Sequence, residues 1–312
     1  MIQNTVNKYA DNVSTMDSKL PHTAGTRILI FGAGVIGSLY AARFSLAGFD
    51  VVLLARGKRF ETLKKNGLQY YDKGAIKNIS IKIIDKLDDN DIYDYIFVTV
   101  RYDQSESALM SIKQNQSKNI VTMINTVRYD RWLEIIGDRL IPGFPGGGGD
   151  IKENILYAKI GSKNIQRTIF GEINGKISER IKNLFKIFET ADIPAEISQN
   201  ILAFHITHTA IIIASRHFYT ENGIVDIQTA RKIKTLKNIA SDMKNNLKIV
   251  ERMGIAIIPE KIKNLKKIPN FIYVAIFYLM LRNNLAKDVL LGNQALNAKN
   301  EILLLQQDFH NL

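Results

Sequence analysis

"TRILIFGAGVIGSLYAARFSLAGFDVVLLARGKRF", residues 26–60, decides the fold. RILIF is a short apolar run, as a strand buried on both faces of a parallel sheet requires. Gly32, Gly34 and Gly37 follow at once in GAGVIG. VIGSLYAARFSLAG then reads as a helix, with Gly48 placed to end it. DVVLLA (50–55) reads as a second buried strand.

Strand, glycine turn, helix and strand in about 30 residues is the dinucleotide-binding unit of a Rossmann fold. Each part has a task. Gly32 permits the tight turn, Gly34 lets the backbone approach a pyrophosphate, and Gly37 lets the helix pack close to the strand. The helix start at Val35 and Ile36 offers free N–H groups and a positive dipole end. Gly32, Ala33, Gly34, Val35, Ile36 and Gly37 are therefore the expected pyrophosphate cradle. An acid at the end of the second strand would bind the ribose of NAD. This chain has Arg56 there, then Lys58 and Arg59. Cations suit a 2′-phosphate, so NADP(H) is the expected cofactor. Lys58 and Arg59 also fit a solvated helix start.

Two more strands are predicted, YDYIFVTVR (93–101) and NIVTMIN (119–125). Ligands lie outside the carboxyl ends of such strands, which puts Arg101 and Asn125 within reach of cofactor or substrate. An exposed arginine and a turn asparagine are the alternative readings.

A chain of 312 residues with 46% hydrophobic content has room for one large or two medium cores. It has no cysteine, which excludes disulfides and thiolate metal sites. This suits a reducing compartment, and the cytoplasm is the expected location. No apolar run reaches the roughly 18–20 residues needed to span a bilayer. The longest, FIYVAIFYLML (271–281), reads as a buried helix. Residues 1–26 lack the basic start and apolar stretch of a secretory signal and read as a polar tail. The net charge of +12 raises nucleic acid as a partner. However, the lysines of RKIKTLKNIASDMKNNLK (231–248) are interleaved with apolar residues, as on a solvated helix face. Neither nucleic acid nor membrane is an expected partner, whereas small anions are.

ILIFGAGVIG, VVLLARGKRFETLKKNGL, DYIFVTVRYDQ and TMINTV, at their observed spacing, together resemble the ketopantoate reductase (2-dehydropantoate 2-reductase) family. That family commonly has Lys where this chain has Arg101, and Asn-Gly where it has Asn125-Thr126. The resemblance implies an α/β Rossmann N-terminal domain plus an all-α C-terminal domain of the 6-phosphogluconate-dehydrogenase-like kind, with the active site between them. It implies hydride transfer from NADPH to the ketone of a small 2-oxo acid, as in pantothenate biosynthesis. It also implies a catalytic lysine early in the first long helix of the second domain and a late glutamate holding substrate. Glu301 is the candidate for that glutamate, as the only acid between Asp288 and Asp308.

The second half reads as helical throughout. DIPAEISQN (192–200) gives a loop and a helix start after Pro194, and the helix runs to about Phe218. Residues 227–254 form another long helix closed by Gly254. The expected division is a polar tail at 1–26, an NADP-binding Rossmann domain at 27–193 and a helical substrate and dimerisation domain at 194–312. Exposed apolar helical surface makes a homodimer possible. Between the halves lies IPGFPGGGGD (141–150). Its glycines at 146–149 read either as a backbone-lined loop beside the substrate or as a loose crossing loop.

The family's lysine stands four residues before an asparagine. Laid over ILAFHITHTA (201–210), that pattern puts Phe204 at the lysine position and His208 at the asparagine position. There is no lysine between Lys186 and Lys232, so no shift of register restores it. Three readings follow. His205 or His208, neighbours at i, i+3, replaces the lysine as proton donor. Alternatively, the substrate differs and Arg101 clamps a carboxylate. In the third, the chain is a non-catalytic NADP(H)-binding regulatory or partner protein. A metal site is not expected, because no HExxH-like pattern accompanies the histidine pair. Two core histidines bonded to backbone are the plain alternative.

Overall fold

The computed structural model describes residues 25–72, 74–163, 166–219, 227–282 and 299–312. Most of the expected polar tail lies outside them. The strands are β1 (Arg27–Phe31), β2 (Asp50–Leu54), β3 (Leu68–Asp72), β4 (Ala75–Ile79), β5 (Lys82–Ile84), β6 (Tyr95–Val98), β7 (Ile120–Met123), β8 (Leu140–Phe144), β9 (Gly147–Lys152), β10 (Ile155–Ile160), β11 (Thr168–Phe170) and β12 (Ala195–Ile197). The helices are α1 (Val35–Leu46), α2 (Gly57–Asn66), α3 (Ser105–Ile112), α4 (Asp130–Ile136), α5 (Glu179–Thr190), α6 (Ile201–Ile212), α7 (Ile227–Ala230), α8 (Ile233–Arg252), α9 (Asn270–Met280) and α10 (Lys299–His310).

Eight strands form the main sheet in the order β12-β11-β8-β7-β6-β1-β2-β5. All pairings are parallel except β8 with β11. β1 shows why a continuous apolar run suits this position. Ile28 and Ile30 enter the core on one face, while Leu29 and Phe31 enter the core on the other. Chain order reverses at β1, whose neighbours are β2 and β6. Such a switch point opens a crevice at the carboxyl ends of the strands. A second sheet, β4-β3-β10-β9, packs against α1.

The C-terminal region is mainly helical. α6 begins where the Asn200 side chain accepts a hydrogen bond from the Ala203 N–H at 3.1 Å. A 3-10 turn, Ile213–Phe218, continues it. α8 buries Leu236, Ile239, Ala240, Met243, Leu247 and Val250, the spacing of one helical face. No described helix is long and apolar enough to cross a membrane.

Four expectations need correction. A strand, β12, follows Pro194 and pairs with β11, so the second half is not wholly helical and its first helix starts at Ile201. Its ends are fixed by Thr168 N–H to Pro194 C=O at 2.8 Å and Ser198 N–H to Phe170 C=O at 2.8 Å. The helix expected over 227–254 is broken, because Lys232 is extended. The stretch 271–281 is helical but not buried: Phe271 is 71% and Leu279 63% exposed. Finally, the glycine stretch is neither a loose loop nor, over most of its length, a site loop. It forms β9, and the Gly146 N–H donates to Tyr40 Oη and Thr168 Oγ1, both at 3.1 Å. A Cβ on Gly146 would lie 2.2 Å from the Thr168 nitrogen, and close packing of this kind demands glycine.

Candidate active site

A cleft of about 840 Å³ opens at the switch point, between the ends of β1, β2, β6 and β7 and the helical region. At one end lies the glycine turn. Gly32 has φ +114°, and Thr99 Oγ1 donates to its carbonyl at 2.9 Å. A Cβ on Gly37 would fall 1.8 Å from that carbonyl oxygen, so α1 can sit this close to β1 only with glycine there. Gly34 differs: a Cβ on it would meet no protein atom within 4 Å. Packing does not explain the absence of a side chain at Gly34, whereas space for a ligand does. Gly34 is also the residue that opens α1. No side chain caps that helix, and its first turn holds no acid. Its N–H groups and dipole are thus directed to the cleft without neutralisation, as phosphate binding requires.

Arg56 and Arg59 line the same end. Arg56 is exposed. Arg59 is partly buried and reaches back over the turn, with Nε donating to the Ala33 carbonyl at 3.2 Å and Nη2 to Ser38 Oγ at 3.4 Å. Of the three cations expected near a 2′-phosphate, Arg59 is the one with side-chain bonds to the glycine turn and α1, where the sequence also fitted a solvated helix start. Its helical position one turn after the end of β2 was the available signal.

The other end of the cleft is lined by Asn125 after β7, Arg101 after β6, Ser215 and Tyr219 from the turn beyond α6, and Glu301 on α10. Arg101 already holds Asp103, at 3.1 and 3.4 Å. Glu301 Oε1 accepts the Tyr102 N–H at 3.2 Å. Burial raises the pKa of this carboxyl, the Tyr102 bond partly offsetting it. α10 is clamped further along. Tyr102 Oη donates to Asp308 Oδ2 at 2.5 Å, and Arg128 bonds Asp308 Oδ1. Ser215 and Tyr219 lie in a stretch whose apolar pattern had no catalytic signature, so the sequence reading did not single them out.

The histidines are elsewhere, and the expected proton-donor role for His205 or His208 is corrected. Neither lines the cleft. His205 is 1% exposed; its Nε2–H donates to the Gly143 carbonyl at 3.2 Å, and its Nδ1 accepts from Tyr129 Oη at 2.9 Å. Both ring nitrogens are therefore committed. Desolvation lowers its pKa to about 3, against the pull of the Gly143 carbonyl, so the ring is neutral. His208 packs at 4.2 Å on the Phe144 ring, and desolvation lowers its pKa to about 4. Phe204, at the place of the family's lysine, is buried against Phe144. No metal-binding cluster occurs among the described residues.

Residues 28–155 match the ketopantoate reductase PanE/ApbA family. The 2-dehydropantoate 2-reductase of Archaeoglobus fulgidus is 29% identical to it over 191 residues, 61% of each chain. That of Mesorhizobium japonicum is 25% identical over 206 residues, 56% of this chain and 60% of the relative. The chain thus spans about three fifths of the length of the curated relatives it matches. The fold extends further. A PanE/ApbA family ketopantoate reductase from Ralstonia eutropha JMP134 superposes with a TM-score of 0.62 at 13% identity, over 92% of this chain and 99% of that one. A D-mandelate dehydrogenase solved with NADH and anilino(oxo)acetate superposes with a TM-score of 0.64 at 17% identity, over 92% and 98%. The stretch that matches the family therefore holds the glycine turn, Arg56, Arg59, Arg101 and Asn125, while Ser215, Tyr219 and Glu301 come from beyond it.

Proposed function

We propose that the protein is a reductase of a small 2-oxo acid or related ketone, using a nicotinamide dinucleotide with preference for NADP(H). The observation that carries this is the single cleft joining a phosphate-receptive glycine turn to a polar end with Asn125 and Glu301. Gly32 to Gly37 would hold the pyrophosphate, and Arg56 with Arg59 the 2′-phosphate. The bound dinucleotide would supply a hydride. The chain's own part is to bind, orient and exclude water. Asn125 orients nicotinamide or substrate, Glu301 borders the substrate, and Arg101 attracts its carboxylate while sharing charge with Asp103. The test is NADPH oxidation against a panel of 2-oxo acids, with NADH in parallel. Turnover with an NADPH preference supports the reading. Tight NADPH binding without turnover across the panel favours the non-catalytic regulator, for which the loss of the lysine to Phe204 speaks.

We also propose that the chain divides near Ser198–Asn200, not at 193/194, since β12 completes the main sheet. A homodimer through the apolar face of α9 is the corresponding proposal for assembly.

A further inference from the structure

The reduction needs a proton at the ketone oxygen; the family's lysine is absent, and neither His205 nor His208 lines the cleft. Few groups lining the cleft can give one. Arginines stay charged at any working pH. Thr99 is committed to backbone carbonyls, and Asp150 Oδ1 accepts the Ile151 N–H at 2.8 Å. An aliphatic hydroxyl such as Ser215 is a far weaker acid than a phenol. Among the described residues this leaves Tyr219 and Glu301, on elements packed against each other.

We infer that Tyr219 is the hydrogen-bond and proton donor to the ketone oxygen, with Glu301 as the residue that positions it; this rests on the reductase reading above. As the carbonyl carbon accepts a hydride from the reduced nicotinamide, the C=O π pair moves onto oxygen. The Tyr219 Oη–H bond breaks and a new O–H bond forms, giving the alcohol. The tyrosinate regains its proton from solvent or from protonated Glu301. A neutral phenol is what the step needs. Burial, then the field of Glu301, pushes the Tyr219 pKa up to about 12, which keeps it protonated while a developing alkoxide remains the stronger base. Glu301 itself is fixed by the Tyr102 N–H at 3.2 Å.

The experiment compares wild type with Tyr219→Phe and Glu301→Gln, and Tyr278→Phe on the exposed helix α9 serves as control. Tyr219→Phe should lower kcat about 100-fold or more while leaving the NADPH dissociation constant within about threefold. Glu301→Gln should cost less in kcat and show a larger change in KM. In parallel, oxamate, a non-reducible analogue of 2-oxo acids, is titrated into the protein with NADP+. Tyr219→Phe should weaken it about tenfold through loss of the hydrogen bond. A variant with kcat within about threefold of wild type overturns the assignment. If wild type reduces nothing, the reductase reading fails by itself; the oxamate arm then decides. Weakened oxamate binding upholds the Tyr219 contact, and unchanged or undetectable binding overturns it.

Discussion

At position 37 one methyl group is too many. Gly37→Ala would push a carbon against the Gly32 carbonyl, and overpacking of this kind costs about 1–3 kcal/mol. The expected outcome is a lower denaturation midpoint and weaker dinucleotide binding, read by chemical denaturation and fluorescence titration. Gly34→Ala should fold normally, because its Cβ meets no protein atom, yet lose dinucleotide affinity. The histidines make a prediction about pH. Both have folded pKa values, about 3 and about 4, below their unfolded value near 6.5. The unfolded chain then binds more protons in acid, so their contribution to stability is complete above about pH 6.5 and is lost as pH falls through about 4 and 3. His205→Gln keeps a donor for Gly143 and an acceptor for Tyr129 but cannot titrate. It should flatten that decline in unfolding free energy measured from pH 7 to 4.

At the scale of elements, β11 leads into a polar knot. Glu172 accepts from Arg180 at 2.7 and 2.6 Å and from Ser178 at 2.5 Å. Burial alone would raise the Glu172 pKa, but Arg180 and then Ser178 outweigh it and hold it below the ordinary value. Glu172→Ala should destabilise by about 2 kcal/mol in equilibrium unfolding, since it strands the Arg180 guanidinium. The sequence made some elements plain and hid others. β1, α1 and β2 were legible because an unbroken apolar run and a glycine pattern each have one physical use. β12 was hidden because three residues carry no periodicity, and its pairing with β11 is a tertiary event. The strand nature of the glycine stretch was hidden for a related reason. Its ladder with β10 decides it, and a run of glycines carries none of the β-branched or alternating residues that announce a strand. At the site, the glycine turn and its cations could be read. Tyr219 could not, because only the fold brings it to the cleft that Asn125 lines.

For the whole molecule, assembly gives a clear expectation. Phe271 and Leu279 are exposed on α9. If that face joins two copies, Phe271→Glu with Leu279→Glu should shift the protein toward monomer in sedimentation velocity, with wild type remaining dimeric. A different consequence follows from the buried imidazole of His205. It stands on α6 yet bonds the Gly143 carbonyl of β8 and the Tyr129 hydroxyl, while Thr209 Oγ1 donates to the Thr126 carbonyl at 3.3 Å. Each bond joins the helical region to the Rossmann half away from water, so separating the two gives up all three together with the packing around them. The two halves should therefore melt as one cooperative unit. Calorimetry should show a single transition, and a dinucleotide gripped mainly by the sheet half should raise the melting temperature of the helices as well.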